Sequence, residues 1–217
     1  MTRSAKTLRR RALAAAVGQF GHPRGLPGRL AGWVMAHRGS NRRRNAWVVD
    51  LLDVRPTDHV LEVGFGPGLA VAEVARRATS GHVVGVDHSE VMVRRALRRN
   101  RAAARAGRVE LVHTPVERLP GVDRPLDAVF AVNSVGFWPE PVARLRELRA
   151  LLRPGGRVAL ASQPRCPGAT RDTTSRAAQE LVDLLTSAGF TGPRVETLEL
   201  DPPVACVLAV APDDRRP

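Results

Sequence analysis

The chain has 217 residues, 43% of them hydrophobic, which is enough for one α/β domain with a substantial core and some additional terminal sequence. No run reaches the roughly 18 apolar residues that a bilayer-spanning helix needs, so we expect no transmembrane segment. Cys166 and Cys206 have neither metal-binding nor disulfide spacing, so we expect both to be buried or incidental and the protein to be cytoplasmic.

The net charge of +13 is concentrated near the N-terminus. Residues 1–45 contribute eleven positive charges and no acid precedes Asp50, which leaves only +2 for the rest of the chain. We therefore predict a basic helical arm or cap over residues 1–45 and a main domain over residues 46–212. Such an arm suits contact with phosphate, an anionic membrane surface or an acidic substrate, and the charge alone does not choose among them.

The first predicted elements are helices. Residues 12–17 resemble the apolar part of a signal peptide, but the run is short and no disulfide framework follows, so a helix that frays or packs on the body is favoured. Apolar side chains recur at helical spacing over residues 30–37, and this pattern predicts one amphipathic helix. A second helix is predicted over about residues 40–52, with Ser40 or Asn41 as its N-cap.

A glycine-rich turn follows at residues 60–69, which read VLEVGFGPGL. The apolar run, the glycines at alternate positions and the apolar-periodic segment after them predict strand 59–64, a turn, and helix 68–79. Glycine permits the backbone angles of such a turn and lets a ligand approach the bare backbone. The free amides at the helix start favour negatively charged or polar groups of that ligand.

The next strand, predicted over residues 82–87, ends in an acid. Asp87 lies 23 residues after Gly64, a spacing at which a carboxylate reaches the two ribose hydroxyls of an adenosine. The alternative is that Asp87 caps the helix beginning near Ser89. Leu69 stands where a dinucleotide fingerprint has its third glycine, so a pyrophosphate is not the favoured ligand.

The run EVGFGPG at residues 62–68, followed by Asp87, resembles the nucleotide-binding signature of class I S-adenosylmethionine-dependent methyltransferases. The resemblance implies a Rossmann-like α/β fold with a seven-stranded, mostly parallel sheet, helices on both faces and an antiparallel last strand. It also implies that Glu62 lies near the methionine amino group of the cofactor and that Asp87 binds its ribose. The other residues assigned here to the cofactor site are Gly64, Phe65, Gly66, Gly68, His88 and Met92, the last with ordinary core packing as its alternative.

The α/β alternation continues to the end of the domain and predicts a parallel sheet with right-handed crossovers. The run LRPGG at residues 152–156, before the fifth strand, also resembles this family. A hairpin at residues 201–203 should insert the seventh strand antiparallel to its neighbours. The remaining predicted elements are helix 89–105, strand 108–113, strand 126–132, helix 139–152, strand 157–162, an irregular bridge 163–174, helix 175–188, strand 194–200 and strand 204–210.

The loop after the third strand departs from the family pattern. Family members commonly have an aspartate there that accepts from the adenine amino group, whereas this chain has Pro115. We therefore expect the backbone of Pro115 and Val116 to hold the adenine, or Glu117 if its side chain turns inward.

The end of the fourth strand faces the expected acceptor site, because open α/β sheets bind ligands at the carboxyl ends of central strands. We expect Asn133 to line the cofactor and Phe137 and Trp138 to line the substrate cavity, with a core plug as the alternative for the two aromatics. The chain has no tyrosine and lacks the Asn/Asp-Pro-Pro-Tyr motif of nucleobase amino-methylating enzymes, which argues against that activity. In small relatives the N-terminal helices often cover the cofactor, which makes His37, Asn41 and Asn45 candidates to face the site.

The sequence looks most similar to the small methyltransferases grouped with ubiquinone and menaquinone biosynthesis. The resemblance implies in-line transfer of a methyl group from S-adenosylmethionine to an O, N, S or C nucleophile of a small molecule. A general base is needed only for a protonated nucleophile, and His37 and His113 are the candidates. An RNA-directed methyltransferase that uses the basic arm, and a protein that binds S-adenosylmethionine without transferring its methyl group, remain as alternatives. We expect no metal site, and the oligomeric state stays open.

Overall fold

The computed structural model describes residues 39–213, so His37 and most of the predicted basic arm lie outside the described part of the chain. Within it there are seven strands and six α-helices, most of which alternate along the chain. The strands are β1 His59–Val63, β2 His82–Asp87, β3 Val109–His113, β4 Leu126–Val132, β5 Leu152–Ser162, β6 Thr191–Leu198 and β7 Val204–Val210. The helices are α1 Gly39–Leu51, α2 Leu69–Arg77, α3 Glu90–Arg99, α4 Arg101–Arg105, α5 Pro141–Leu151 and α6 Arg171–Ser187, with a short 3₁₀ turn at Val135–Phe137.

All seven strands form one sheet in the order β3-β2-β1-β4-β5-β7-β6. Strand β1 runs parallel to both β2 and β4, while β7 runs antiparallel to β5 on one side and to β6 on the other. The predicted seven-stranded sheet with an antiparallel last strand is therefore confirmed. Because β1 and β4 are neighbours while β2 and β3 extend the other way, the strand order reverses between β1 and β4, where such sheets bind ligands.

Apolar residues cover both faces of the sheet, as the near-continuous hydrophobic strands require. Successive residues of a strand point to opposite faces, so Val129 and Phe130 of β4 belong to different core clusters. One cluster packs α5 and α6 against the sheet, and the other packs α1 and α2. Because the helices cover both faces of the sheet, a site can form at the edge where the central strands have their carboxyl ends.

Helix α1 begins before the predicted N-cap. It includes Gly39, the first described residue, so neither Ser40 nor Asn41 acts as the cap, and this prediction was wrong. Asn41 is instead 2% exposed, and its side chain accepts a hydrogen bond from Arg44 inside the helix. The division of the chain at residue 45 stays a prediction, although the described residues 39–45 form one continuous helix with residues 46–51.

Two further helix predictions needed correction. The helix predicted over residues 89–105 is interrupted at Asn100, whose side-chain amide donates to the carbonyls of Ala96 (2.9 Å) and Gly68 (3.2 Å). The last long helix starts at Arg171, four residues earlier than predicted, because Thr170 and Thr173 form a reciprocal capping box. Both differences arise from polar side chains that bond to nearby backbone.

Strand β5 also starts earlier than predicted, at Leu152 instead of residue 157. The segment 152–156 is part of the strand, and the pairing with β4 shifts register between Leu126 and Ala128. Gly155 has a φ of +70°, which accommodates this irregularity. Both cysteines are free; Cys206 is buried as expected, whereas Cys166 is exposed. Among residues 39–213 no helix is sufficiently long and apolar to cross a bilayer, and no cluster of three potential metal ligands occurs.

Asp127 joins three strands near the amino ends of β1 and β4. Its carboxylate accepts from the backbone N–H of His59 (2.9 Å) and from Nε of Arg153 (2.6 Å). Partial burial raises the pKa of Asp127, but the hydrogen bonds from His59 and Arg153 outweigh it, so the pKa lies below its ordinary value of 3.8. Ionised Asp127 therefore stabilises the fold above pH 3.8, and this contribution is lost as pH falls through the folded-state value.

We expect Asp127→Asn to lower the free energy of unfolding at pH 7 by about 1 kcal/mol, since a charge-assisted hydrogen bond at a partly exposed site is lost. The deficit relative to the parent protein should shrink below pH 3.8. Urea denaturation at pH 7 and pH 3 measures both effects. The matched control is Asp123→Asn, which alters an exposed carboxylate four residues away. A deficit that is the same at both pH values would contradict the role of the ionised group.

Candidate functional site

The turn between β1 and α2 packs closely against the end of β4. Gly64 has a φ of +77°, and a Cβ placed there would lie 2.4 Å from the Cβ of Ser134. Ser134 Oγ donates to the carbonyl of Val63 at 2.6 Å, which fixes the same contact from the other side. Gly66 has a φ of +53°, and a Cβ placed there would meet no atom within 4 Å, so its backbone lies open to a ligand.

Gly68 has a different environment from the other two glycines of the turn. A Cβ at Gly68 would lie 2.7 Å from the Cβ of Ala96, so the residue permits close packing of the turn on α3. Its neighbours Pro67 and Leu69 line the large cavity described below, whereas Gly68 is not among the lining residues. The structure therefore places Gly68 behind the predicted cofactor loop, where it supports the loop.

Asp87 at the end of β2 is held by two backbone amides. Gly66 N–H donates to Oδ2 at 2.8 Å, and Ser89 N–H donates to Oδ1 at 2.8 Å. Burial raises the pKa of Asp87, and the hydrogen bonds from Ser89 and Gly66 oppose that effect without cancelling it. Each oxygen keeps lone-pair capacity for a further donor. The arrangement can therefore present two acceptors side by side to a ligand with vicinal hydroxyls.

Glu62 at the end of β1 is a buried carboxyl that lacks a full set of partners. It is 1% exposed, and among the described residues Oε2 has no hydrogen-bond partner. Burial raises the pKa of Glu62 well above 4.5, and the negative charge of Asp87 raises it further, while a hydrogen bond from the Val71 backbone acts in the opposite direction. Buried polar atoms are nearly always paired in folded proteins, so this oxygen suits a donor or a cation on a ligand.

A single large cavity brings most of the predicted site residues together. As bounded by residues 39–213, it measures about 1420 Å³ and lies at the carboxyl ends of β1, β2, β4 and β5. Pockets for single small ligands usually measure roughly 300–1,000 Å³, so this volume suits a nucleoside-sized ligand together with a second molecule. The predicted residues that line it are Asn41, Asn45, Glu62, Gly64, Phe65, Gly66, Asp87, His88, Met92, His113, Pro115, Val116, Glu117, Asn133, Phe137 and Trp138.

The loop after β3 forms one wall of this cavity. Val116 is 8% exposed and packs in the core, while the side chain of Glu117 is exposed. His113 Nε2 lies 2.9 Å from the carbonyl oxygen of His88 and so links the ends of β3 and β2. A hydrogen bond to a carbonyl requires the proton on Nε2, which leaves Nδ1 as the acceptor of a neutral ring. His113 is thus available as a base only through Nδ1.

The two aromatic residues after β4 have separate environments. Phe137 is 50% exposed at the cavity, whereas Trp138 is 8% exposed and belongs to the core cluster of α5 and α6. Trp138 is therefore mainly a core residue that contributes to the cavity wall. Asn133 adopts a left-handed conformation with φ +56°, and its Oδ1 accepts from the backbone N–H of Gln163 at 2.7 Å. This bond ties the end of β4 to the segment after β5.

A polar cluster on the wall formed by α1 was missed by the sequence analysis, which counted Arg44 only as part of the basic arm. Arg44 is 5% exposed and donates to Oε1 of Gln163 (2.5 Å) and to Oδ1 of Asn41 (2.9 Å). Arg165 donates to the same Asn41 oxygen at 2.7 Å. The spacing of Asn41, Arg44 and buried Val48 at i, i+3 and i+7 was the signal that places Arg44 on the inner face of α1.

Comparison with known proteins indicates the class of protein that this chain resembles. Residues 60–156 match the family model described as "Methyltransferase domain". Over 184 residues the chain is 29% identical to "Uncharacterized methyltransferase YdaC" of Bacillus subtilis. This aligned segment covers 84% of this chain and 98% of that protein. It is also 28% identical over 123 residues to "Ubiquinone/menaquinone biosynthesis C-methyltransferase UbiE" of Geotalea daltonii. The aligned segment covers 56% of this chain and 52% of UbiE.

The solved structures agree on the fold. The N-methyltransferase NodS of Bradyrhizobium japonicum WM9, determined with S-adenosyl-L-homocysteine, matches with a TM-score of 0.65 at 14% identity over 92% of this chain and 98% of NodS. The methyltransferase-domain match, the similar curated methyltransferases and the shared class I fold all support the S-adenosylmethionine-dependent methyltransferase that the sequence analysis predicted. The chain spans nearly the whole of YdaC and about half of UbiE.

The raised pKa of Glu62 has a measurable consequence for the ligand-free protein. As pH rises above 4.5, the unfolded chain releases the Glu62 proton before the folded one does, so folding becomes less favourable. We expect Glu62→Gln, which cannot ionise, to be more stable than the parent protein at pH 8, with a smaller difference at pH 5. The melting temperatures of the ligand-free variant and the ligand-free parent protein, compared at pH 8 and pH 5, measure this difference in stability.

The control for this experiment is Glu110→Gln, which alters an exposed carboxylate on β3. It should leave the pH dependence of the melting temperature unchanged. If Glu62→Gln shows the same pH dependence as the parent protein, the ionisation of Glu62 does not oppose folding.

Proposed function

We propose that the protein transfers the methyl group of S-adenosylmethionine to an O, N, S or C nucleophile of a small molecule, and that the cavity at the carboxyl ends of the strands holds both reactants. The observation that carries this proposal is the pair of buried carboxyls, Glu62 and Asp87, which line one cavity together with the open Gly66 backbone. An ammonium group and a ribose diol are the ligand features that such a pair suits.

The residues fit this cofactor in three respects. The unpartnered oxygen of Glu62 would accept the methionine ammonium group, which removes the cost of an ionised carboxyl in a buried position. The two oxygens of Asp87, each already oriented by one backbone amide, would accept the two ribose hydroxyls. The adenine would lie against the wall formed by Met92, Pro115 and Val116, with His88 beside it.

The chain itself has little covalent chemistry to perform. When bound, S-adenosylmethionine supplies an electrophilic methyl group on a sulfonium centre. The walls of the cavity exclude water and align the acceptor, and alignment in attack geometry can lower the barrier by about 7–11 kcal/mol. Phe137 offers an exposed aromatic face for the acceptor. A protonated nucleophile would need a base, for which Nδ1 of His113 is the described candidate, while His37 stays a prediction outside the described residues.

The size of the cavity supports a small molecule as acceptor. UbiE is named for a C-methyltransferase of quinone biosynthesis, so transfer to carbon is one of the four cases to test. RNA-directed methylation rests on the basic arm, of which residues 1–38 lie outside the described part of the chain. The cytoplasmic location also stays part of this proposal.

We expect Asp87→Ala to weaken binding of S-adenosylhomocysteine at least tenfold, because two hydrogen bonds to a charged acceptor, each contributing about 1.5–3 kcal/mol, are removed. Isothermal titration calorimetry on the full chain measures the change. Asp183→Asn, on the exposed face of α6, is the control and should bind like the parent protein. Equal affinity of Asp87→Ala and the parent protein would overturn the role of Asp87.

Transfer itself should be measured with S-adenosylmethionine carrying a labelled methyl group and a panel of phenols, amines, thiols, activated carbon acids and total RNA. We expect label in at least one small molecule and none in RNA. Incorporation into RNA that disappears when residues 1–38 are deleted would replace the small-molecule proposal. Cofactor binding with no transfer to any acceptor would instead favour a non-catalytic role.

A further inference from the structure

Arg44 is a buried cation whose described partners are all neutral. Its hydrogen-bond acceptors are the side-chain carbonyls of Gln163 and Asn41, and its Nε has no partner among residues 39–213. The acids Glu180 and Asp201 also line the cavity, but neither is among the described partners of Arg44. Lys and Arg side chains are almost never this buried without a pairing anion. The burial of Arg44 therefore needs an explanation beyond the described contacts.

The neighbouring charge makes the burial of Arg44 more costly. Arg165 donates to the same oxygen, Oδ1 of Asn41, so two guanidinium groups converge on one neutral acceptor. Burial, and after it the positive charge of Arg165, lowers the pKa of Arg44 from its ordinary value to about 9. An anion bound at this point would be attracted by both groups. We use the name "Arg44 cluster" for Asn41, Arg44, Gln163 and Arg165.

The Arg44 cluster lies in the cavity but on different elements from the predicted cofactor residues. Asn41 and Arg44 come from α1, while Gln163 and Arg165 follow β5. The cluster is fixed in place on two sides: the backbone N–H of Gln163 donates to Asn133 Oδ1 at 2.7 Å, and its side-chain amide donates to the carbonyl of Pro202 at 2.8 Å. It is thus a preorganised polar wall beside the part of the cavity that Asn133 and Phe137 also line.

We propose that the methyl acceptor carries a carboxylate and that Arg44 binds this group, with Arg165 contributing the second positive charge. This inference rests on the proposed methyl transfer to a small molecule and adds the chemical class of the acceptor. A carboxylate matches the planar guanidinium and supplies the anion that is absent from the described partners of Arg44. A single negative charge is preferred to a phosphate dianion, because the acids Glu180 and Asp201 line the same cavity and would repel the higher charge.

A purely structural role for Arg44 makes a different prediction. If Arg44 only holds α1 against the segment after β5, its bonds to Gln163 and Asn41 are its whole purpose, and small anions should not compete for it. Replacing Gln163 by glutamate separates the two roles, because the new carboxylate would occupy the position that already accepts from Arg44 Nη1. It would strengthen a structural clamp but would take the place of an acceptor carboxylate.

The experiment uses the full chain saturated with S-adenosylhomocysteine and two matched pairs of probes: acetate with acetamide, and benzoate with benzamide. Ligand-observed NMR titration gives each dissociation constant. We expect each carboxylate to bind at least about tenfold more tightly than its amide, the ratio expected for loss of a hydrogen bond to a charged group. Arg44→Met should lose this preference, and Arg44→Lys should retain part of it.

Gln163→Glu should also lose carboxylate binding while it raises the melting temperature, so the test does not depend on Arg44→Met remaining folded. Arg118→Met, an exposed arginine of the loop after β3 that lines the same cavity, is the matched control and should keep the preference. Equal binding of carboxylates and amides by the parent protein, or unchanged carboxylate binding by Gln163→Glu, would overturn the inference. Tighter binding of inorganic phosphate than of either carboxylate would overturn the choice of a carboxylate.

The outcome is separable from that of the proposed function. Each variant is also titrated with S-adenosylhomocysteine, whose dissociation constant should change less than about threefold in Arg44→Met, since Arg44 lies outside the predicted cofactor residues. Carboxylate binding that is insensitive to Arg44, with cofactor binding intact, rejects only the present inference. If the parent protein itself does not bind S-adenosylhomocysteine, the result rejects the proposed function instead.

Discussion

The carboxylate of Asp87 connects the turn after β1 to the end of β2, and the organisation of the site depends on this connection. One oxygen accepts from Gly66 in the turn and the other from Ser89 at the start of α3. Hydrogen bonds from backbone amides to a carboxylate are short and strong, so they fix the acid and the loop relative to each other. The turn and the acid therefore act as one rigid unit, and a ligand that contacts one of them meets the other in a defined position.

Neighbouring strand ends are joined to this unit by the same kind of bond. Ser134 after β4 donates to Val63 at the end of β1, and Asn133 accepts from Gln163 after β5. Four adjacent strands thus present their carboxyl ends to one cavity with little freedom to move apart. Buried groups of opposite charge type, Glu62 and Arg44, line the same cavity. Burial raises the pKa of Glu62 and lowers that of Arg44, so each of these two groups suits a ligand group of opposite charge.

Local patterns in the sequence predicted the fold and the cofactor side of the site. The glycines after β1 and the acid after β2 are signals of backbone geometry and spacing, which a single sequence displays directly. The interruption at Asn100 and the early start at Thr170 depend on which backbone groups a side chain reaches, and that is decided by tertiary packing. The burial of Arg44 could not be predicted from the sequence for a related reason. It stands in a run of three arginines, and only the orientation of α1 separates this buried residue from its exposed neighbours Arg42 and Arg43.

Gly68 and Trp138 show the limit of arguments from motifs. Gly68 belongs to the glycine run, yet it serves the contact with α3 instead of the cavity wall. Trp138 stands in a segment expected to contact the acceptor, yet most of its surface is packed in the core. A motif identifies which segment forms a site, but the direction of each side chain follows from what the neighbouring elements leave unfilled. The comparisons support methyl transfer as the class of reaction, whereas the acceptor has to be argued from such details.

The position of β7 between β5 and β6 affects how the chain is assembled in the cell. As the nascent chain leaves the ribosome, β6 emerges before β7, yet β6 is hydrogen-bonded to the sheet through β7. Until β7 has been synthesised, β6 has no described strand to pair with and stays exposed to water. Its first five residues are exposed even in the finished sheet, and it carries Arg194 and Glu196. Charged edge strands resist pairing with other chains, so this polarity protects the unfinished protein from aggregation during translation.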